Sequence, residues 1–275
     1  MDHFTEDESK VARHYNETVF ADELTRLPVE CPIELGITLR WLRRVAKAGD
    51  IAAEIGVGGG HYTEFLARVG CRLHLVDVSE RLLKAAAERL RTAGFEDRIL
   101  GRHHTSGTKL ESLPSESVDL ALAMGPLYHL RSFEERRHSV YESARILKRG
   151  GTLFAAGINR LSYLRDLLRL ELGPVSERVA FHRQYLRDGN LDPEHAPPIG
   201  YAHLTTAAEF LALFEALFAK VAFLGVESFT SPCQNMLRDL PPAEAELWLD
   251  LVEETGQTPE GIGQSDHFLF IGRKL

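Results

Sequence analysis

Ile51-Ala52-Ala53-Glu54-Ile55-Gly56-Val57-Gly58-Gly59-Gly60 is the stretch on which the fold turns. Its first five residues read as a strand buried on both faces, as a parallel sheet demands. The glycines after it let the chain turn sharply and let a ligand approach bare backbone. A helix that starts there aims its free N–H groups at whatever is bound. Neither common phosphate loop fits. G-x-G-x-x-G counted from Gly56 needs glycine or alanine at 61, where His61 stands; counted from Gly58 it needs one at 63, where Thr63 stands. No G-K-[ST] follows either, which removes the P-loop reading. Instead Glu54 precedes the first glycine by two positions, and Asp77 ends the next apolar run, Arg72–Asp77, 17 residues beyond Gly60. A carboxylate at that strand tip can accept both hydroxyls of a ribose.

Val118–Met124 and Thr152–Ala156 are further buried-strand candidates. Between the strands, Leu82, Leu83, Ala86 and Leu90 share a helix face over 80–93, with Gly94 as its stop. Phe133, Val140, Ala144 and Leu147 do the same over 133–147, where Ser132 and Glu135 have capping-box spacing. Strands alternating with helices predict an α/β fold, a doubly wound, mostly parallel sheet. Residues 7–47 read as two helices, with Pro32 opening the second. Helical pieces and a Pro-rich turn at Asp192–Pro198 occupy 160–205; Thr206 opens a helix with Glu209 at capping-box spacing. Strands are expected near 221–227 and at His267–Ile271.

The 275 residues are 44% hydrophobic and 26% charged, an average globular mixture with room for a full core. Lys and Arg number 32 against 40 Asp and Glu, and a net charge of −8 argues against nucleic acid or an anionic membrane as partner. Cys31, Cys71 and Cys233 form no disulfide or metal spacing, which fits a reducing, cytoplasmic setting. The acidic start, Met1–Glu8, is unlike a signal peptide, and no apolar run is long enough to span a bilayer.

Several motifs in order carry a resemblance. The E-x-G-x-G-x-G loop, Val76-Asp77-Val78-Ser79, Ser117–Leu122 and Leu147-Lys148-Arg149-Gly150-Gly151 before a strand resemble the class I S-adenosylmethionine-dependent methyltransferases. Met124–Leu130 and Gly157-Ile158-Asn159-Arg160 resemble a bacterial small-molecule subgroup related to the ubiquinone-biosynthesis type. The resemblance covers residues 11–165 and continues more loosely to the end. It implies a Rossmann-like methyltransferase fold with an N-terminal helical lid at 1–48, a cofactor-binding core at 49–159 and 206–275, and an inserted helical substrate cap at 160–205. It further implies S-adenosyl-L-methionine as cofactor, S-adenosyl-L-homocysteine as product, and a small-molecule acceptor methylated on O, N, S or C.

By the same resemblance Gly56, Gly58 and Gly60 pack under the cofactor's methionine part, and Glu54 orients its amino group. Asp77 binds the ribose, Val78 packs on adenine, and the backbone of Met124 and Gly125 meets the amino group. Tyr15 reaches the carboxylate as the lid closes. One position departs from the family: the acid that accepts the adenine amino group after the third strand is replaced by Ser106, followed by Gly107. A serine hydroxyl or a backbone carbonyl is left to do that work.

Methyl transfer is an in-line displacement with a good leaving group, so alignment supplies much of the acceleration and a base is needed only for a protonated acceptor. His129 and Tyr128 follow the fourth strand at its ligand-binding end, either as a base or acceptor-orienting pair or as packed aromatics. Arg160 follows the fifth strand, to bind an acidic substrate or brace the lid. His203 precedes a capped helix, as a site residue or a structural one; His267 reads as structural. His103-His104 point to opposite faces of a strand and match no metal signature, so no metal is expected. Arg40, Arg43, Arg44 and Lys47 share one helix face, read as solvated. Two alternatives stand beside this reading: a nicotinamide-dependent oxidoreductase on a related fold, and an S-adenosylmethionine-binding protein without turnover.

Overall fold

The computed structural model describes residues 4–170, 175–192, 194, 200–237 and 239–275. Seven strands make one sheet: β1 (Ile51–Ile55), β2 (Arg72–Asp77), β3 (Ile99–His104), β4 (Val118–Ala123), β5 (Leu147–Ile158), β6 (Phe218–Gly225) and β7 (His267–Lys274). Their order is β3-β2-β1-β4-β5-β7-β6. The first five are parallel, and β7 runs antiparallel to both neighbours. Strand order reverses between β1 and β4, the switch point at whose carboxyl ends ligands bind in such sheets.

Helices cover both faces. On one, Ile33, Ile37 and Leu42 of α2 (Pro32–Val45) share a core with Leu66 of α3 (His61–Val69), Leu83, Ala86 and Leu90 of α4 (Glu80–Thr92), and Val252 of α6 (Pro242–Gly256). On the other, Val140 and Ala144 of α5 (Phe133–Ile146) pack with Phe210, Phe214, Phe268 and Phe270. The expected capping boxes of Ser132/Glu135 and Thr206/Glu209 are both formed. Helix α5 passes straight into β5 at Leu147, and a register shift absorbs Lys148–Gly151, with Gly150 at φ +73°. The L-K-R-G-G motif is thus part of the strand rather than a loop before it.

The N-terminal segment differs from two simple helices. Helix α1 (Glu6–Arg13) passes into a π-helical turn at His14–Thr18, then single turns at Phe20–Glu23 and Arg26–Val29. Val19 (φ −113°, ψ 11°) and Thr25 (φ −125°, ψ −6°) leave the helical region, as β-branched residues readily do. Each break redirects the chain, and Tyr15, Glu23 and Arg26 all reach the same cavity.

Segment 160–205 leaves and rejoins the core at one point. Asn159 bridges Thr205, Arg160 N–H donates to the Thr205 carbonyl at 2.9 Å, and Thr205 N–H to the Ile158 carbonyl at 2.8 Å. It carries helices Ser162–Leu170 and Val179–Asp188, a short ladder of Asn190–Leu191 with Ala202–His203, and a small core around Tyr163, Tyr185 and Leu204. Most of the Pro-rich turn lies outside the described residues.

Candidate active site

The tips of β1, β2, β3 and β4 floor a cavity of about 900 Å³, roofed by the N-terminal segment. Gly56 has φ +79°, and a Cβ there would stand 3.1 Å from Pro126 Cδ and 3.3 Å from Gly125 Cα. The β1 and β4 loops therefore meet closely enough that only glycine fits between them. Gly60 holds φ +76° as it caps α3. Gly59 was not singled out in the sequence, yet its Cβ would lie 2.8 Å from the Glu23 carbonyl, so the roof rests on it.

Two carboxylates define the floor. Glu54 is buried, receives the Thr63 hydroxyl, and is pushed up to about 8 chiefly by burial, with Asp77 adding to the rise. Asp77 accepts N–H groups from Gly58 at 3.2 Å and Ser79 at 2.8 Å. Burial raises it to about 6 in spite of those bonds. A carboxylate has about four acceptor positions, so two N–H bonds leave room for a diol. The Tyr62 hydroxyl, which also lines the cavity, is buried beside Thr38. A bare glycine floor and a buried acceptor at the sugar position fit an uncharged sugar linked to an amino-acid tail.

The roof touches every loop of the floor. Glu8 receives the Thr108 hydroxyl at 2.9 Å, beside Ser106 and Gly107. Asn16 Oδ1 receives the Ser79 hydroxyl at 2.7 Å, just past Asp77 and Val78. The Leu24 carbonyl lies 3.0 Å from His61 Nε2 and accepts from Arg89 at 3.3 Å; Arg89 also reaches the Gly59 carbonyl at 2.6 Å. Arg26 lies 3.0 Å from Glu23 and 3.6 Å from Glu34. Glu8, Glu23, Arg26 and Glu34 all line the cavity, and none carried a motif in the sequence.

Tyr15 reaches across to the β4 loop. Its hydroxyl lies 2.8 Å from His129 Nε2, while His129 Nδ1 lies 2.8 Å from the Tyr201 carbonyl. A carbonyl only accepts, so Nδ1 carries the proton, and bare Nε2 accepts from Tyr15. Burial lowers His129 to about 4 and keeps it neutral. Tyr128 lines the same wall, its ring 4.8 Å from that of His129. Met124 and Gly125 stand at the β4 tip beside Gly56. Tyr15 was expected on a ligand's carboxylate and stands here on His129.

Three expected residues stand outside this cavity, among them Gly60, where a Cβ would meet Ala86 and Arg89 of α4 instead. Arg160 is buried, donates to the Leu204 carbonyl at 3.2 Å and pairs with Glu209, because the chain leaves the sheet right after Asn159. His203 lies 3.0 Å from Asn190 across the short ladder and lines a separate void of about 170 Å³ behind Tyr128. Burial, then Arg136 and Arg160, push it down to about 3.

The remaining histidines and arginines find other partners. His103 bridges His74 at 3.1 Å and Ser112 at 2.8 Å, and His104 reaches the Val78 carbonyl at 3.0 Å. Arg40 pairs with Glu246, Asp250 and Glu253, and Arg44 with Glu253, so much of that basic face is matched by α6. Glu34, in the cavity wall, meets Glu227 and His267, with His267 Nδ1 2.6 Å from Glu227 and 3.8 Å from Glu34. Burial alone would lower His267; Glu227 and Glu34 outweigh it and raise the ring to about 9. Among the described residues, no helix is long and apolar enough to cross a membrane.

Comparison with known proteins agrees with this geometry. A methyltransferase-domain family model matches residues 53–155, from β1 into β5. The ubiquinone biosynthesis O-methyltransferase of Methylococcus capsulatus is 32% identical over 171 residues, 58% of this chain and 70% of that one. The protein of the same name from Aromatoleum aromaticum is 28% identical over 125 residues, 45% of this chain and 51% of that one. The chain thus spans more than two thirds of the first relative and about half of the second. The structure of the N-methyltransferase NodS from Bradyrhizobium japonicum WM9 with S-adenosyl-L-homocysteine superposes with TM-score 0.55 at 18% identity, covering 92% of this chain and 95% of that one. A methyltransferase from Thermotoga maritima, described as a possible histamine N-methyltransferase, gives 0.56 at 20% identity, covering 96% and 99%. The chain belongs to the class I S-adenosylmethionine-dependent methyltransferases.

Proposed function

We propose that this methyltransferase methylates an oxygen of a small hydroxylated molecule, with His129 taking the hydroxyl proton. The observation that carries this reading is the state of His129: neutral, its tautomer fixed by the Tyr201 carbonyl, and Nε2 already bonded to a phenolic hydroxyl. The Tyr15 hydroxyl stands where an acceptor hydroxyl would stand. The names of the two relatives, both O-methyltransferases, support the same acceptor atom.

When bound, S-adenosylmethionine supplies a methyl carbon attached to a sulfonium, so a neutral thioether leaves. The chain's work is to hold and align. Asp77 would grip the ribose, Val78 and Ser106–Gly107 would border the base, and Gly56, Gly58, Met124 and Gly125 would present backbone to the amino-acid tail. Glu54 would face its amino group. As the acceptor oxygen bonds the methyl carbon, its O–H bond breaks and the proton passes to His129 Nε2. Tyr128 would set the angle of approach, and the roof would exclude water. Alignment alone can supply about 7–11 kcal/mol. Arg160 and His203 would brace the cap rather than touch reactants.

The test incubates the chain with labelled S-adenosylmethionine and a panel of phenols, alcohols and amines. Methyl should appear on a hydroxyl, and His129→Ala should lower kcat about 100-fold, the low end for a positioned base. S-adenosylhomocysteine, and not NADH, should raise the melting temperature. Label found only on nitrogen, or full turnover by the variant, would overturn the reading.

A further inference from the structure

Sheet order sets the direction of a bound nucleoside. Asp77 sits on β2, between β3 and β1. A sugar held there sends its amino-acid tail across the glycine loop toward β4, and its base the other way, over the tip of β3. Glu8, Val11, Val78, Leu82, Ser106 and Gly107 wall that end. Adenine brings an exocyclic amino group with two N–H donors, and a buried donor needs an acceptor. Glu8 is the one carboxylate of the six.

Its local role accounts for half of it. Oε2 accepts the Thr5 N–H at 2.7 Å, closing the capping box of α1, and lies 3.4 Å from Lys109 Nζ. Oε1 serves no cap: it faces the β3 loop and takes the Thr108 hydroxyl at 2.9 Å. Glu8 is 6% exposed, an uncommon burial for a glutamate. Although burial opposes it, the hydroxyls of Ser106 and Thr108, the Thr5 N–H and Lys109 keep the carboxyl below its usual range, hence ionised. The Ser106 and Thr108 hydroxyls are 2.9 Å apart, so either can turn to the other when a stronger donor arrives.

We infer that Glu8, from the roof, is the acceptor for the adenine amino group, supplying from another element the acid that the β3 loop lacks. The inference rests on the cofactor site described above. It also couples roof closure to recognition of the base, since the reading group leaves when α1 lifts.

The experiment compares S-adenosylhomocysteine with S-inosylhomocysteine, in which a carbonyl replaces the amino group, by calorimetry on the full chain. The wild type should prefer the adenosyl compound by about tenfold or more, as expected when a polar site meets the wrong partner. Glu8→Ala should reduce that preference about tenfold. Glu8→Gln, which keeps the capping box, should reduce it in the same direction. Thr5→Ala, which removes the cap and keeps Glu8, should weaken both compounds alike and leave the preference intact. An unchanged preference in both Glu8 variants, or its loss in Thr5→Ala, would overturn the inference. A wild type that binds neither compound would overturn the cofactor site itself.

Discussion

The Tyr15 hydroxyl and His129 Nε2 lie 2.8 Å apart, a bond across 114 residues that joins the N-terminal roof to the β4 loop. It closes one end of the cavity, while the Tyr201 carbonyl fixes the proton on His129 Nδ1. Tyr15→Phe should leave Nε2 without a donor and loosen the roof by about 1 kcal/mol, the worth of one such bond. If the tyrosine only holds the acceptor's place, kcat in Tyr15→Phe should stay near wild type while exchange of the α1 amides rises. Hydrogen exchange and steady-state rates on the same sample check both. A collapse of kcat as deep as that of His129→Ala would instead make Tyr15 part of the chemistry.

Protons should leave when the cofactor binds. Glu54, at about 8, and Asp77, at about 6, are partly protonated near neutrality because burial disfavours their anions. A ligand ammonium beside Glu54 and sugar hydroxyls on Asp77 favour the ionised forms and pull both values down. Binding should therefore release up to about one proton at pH 7, and affinity should rise from pH 6 to 8. Calorimetry in two buffers of different ionisation heat measures the release, which Glu54→Gln should largely abolish. The ligand-free chain has the opposite slope: acids raised in the fold lose stability as pH climbs from their unfolded values toward 6 and 8.

How much of this was legible in the sequence depends on how local each signal is. Glu54, the glycine loop and Asp77 could be found because strand periodicity and a turn are properties of a few neighbouring residues. Their positions at the β1 and β2 tips follow from the chain itself. Glu8 carried no motif in the sequence, and nothing nearby indicates that it meets Thr108, 100 residues on. Glu23 and Arg26 enter the cavity because Val19 and Thr25 break a helix that an amphipathic pattern reads as continuous. Arg160 and His203 failed to reach the cavity for the converse reason. Arg160's place after a strand and His203's before a capped helix suggested the site, but the Asn159–Thr205 bridge turns both into the base of the inserted segment 160–205.

Glycine should be required at 56 for space as well as torsion. Gly94 has φ +80° with nothing within 4 Å of a Cβ, whereas Gly56, at φ +79°, would drive one against Pro126 and Gly125. Gly94→Ala should cost only the left-handed strain of about 1–2 kcal/mol. Gly56→Ala should add about 1–3 kcal/mol of overpacking and weaken S-adenosylhomocysteine binding at least tenfold, since the β4 loop must move. Urea unfolding with and without the ligand separates the two losses. Equal costs and equal affinities would mean that the loop junction is not tight.

The pair of His267 and Glu227 should make stability fall in alkali. The ring rises from 6.5 to about 9 in the fold, so its contribution is complete below 6.5 and is lost as pH climbs through 9. At about 1.36 kcal/mol for each pK unit, the loss is on the order of 3 kcal/mol between pH 6.5 and 9.5. Glu227 is held below its usual range although buried, mainly by the charge of His267, so neither partner is expendable alone. Glu227→Gln should remove about 3 kcal/mol at pH 7, because a half-buried cation loses its buried counter-ion. It should also flatten the curve above pH 7 relative to wild type. Glu54 titrates in both proteins, so its slope cancels in the difference. Urea denaturation at half-unit pH steps gives both curves, and parallel curves would show that His267 is neutral in the folded chain.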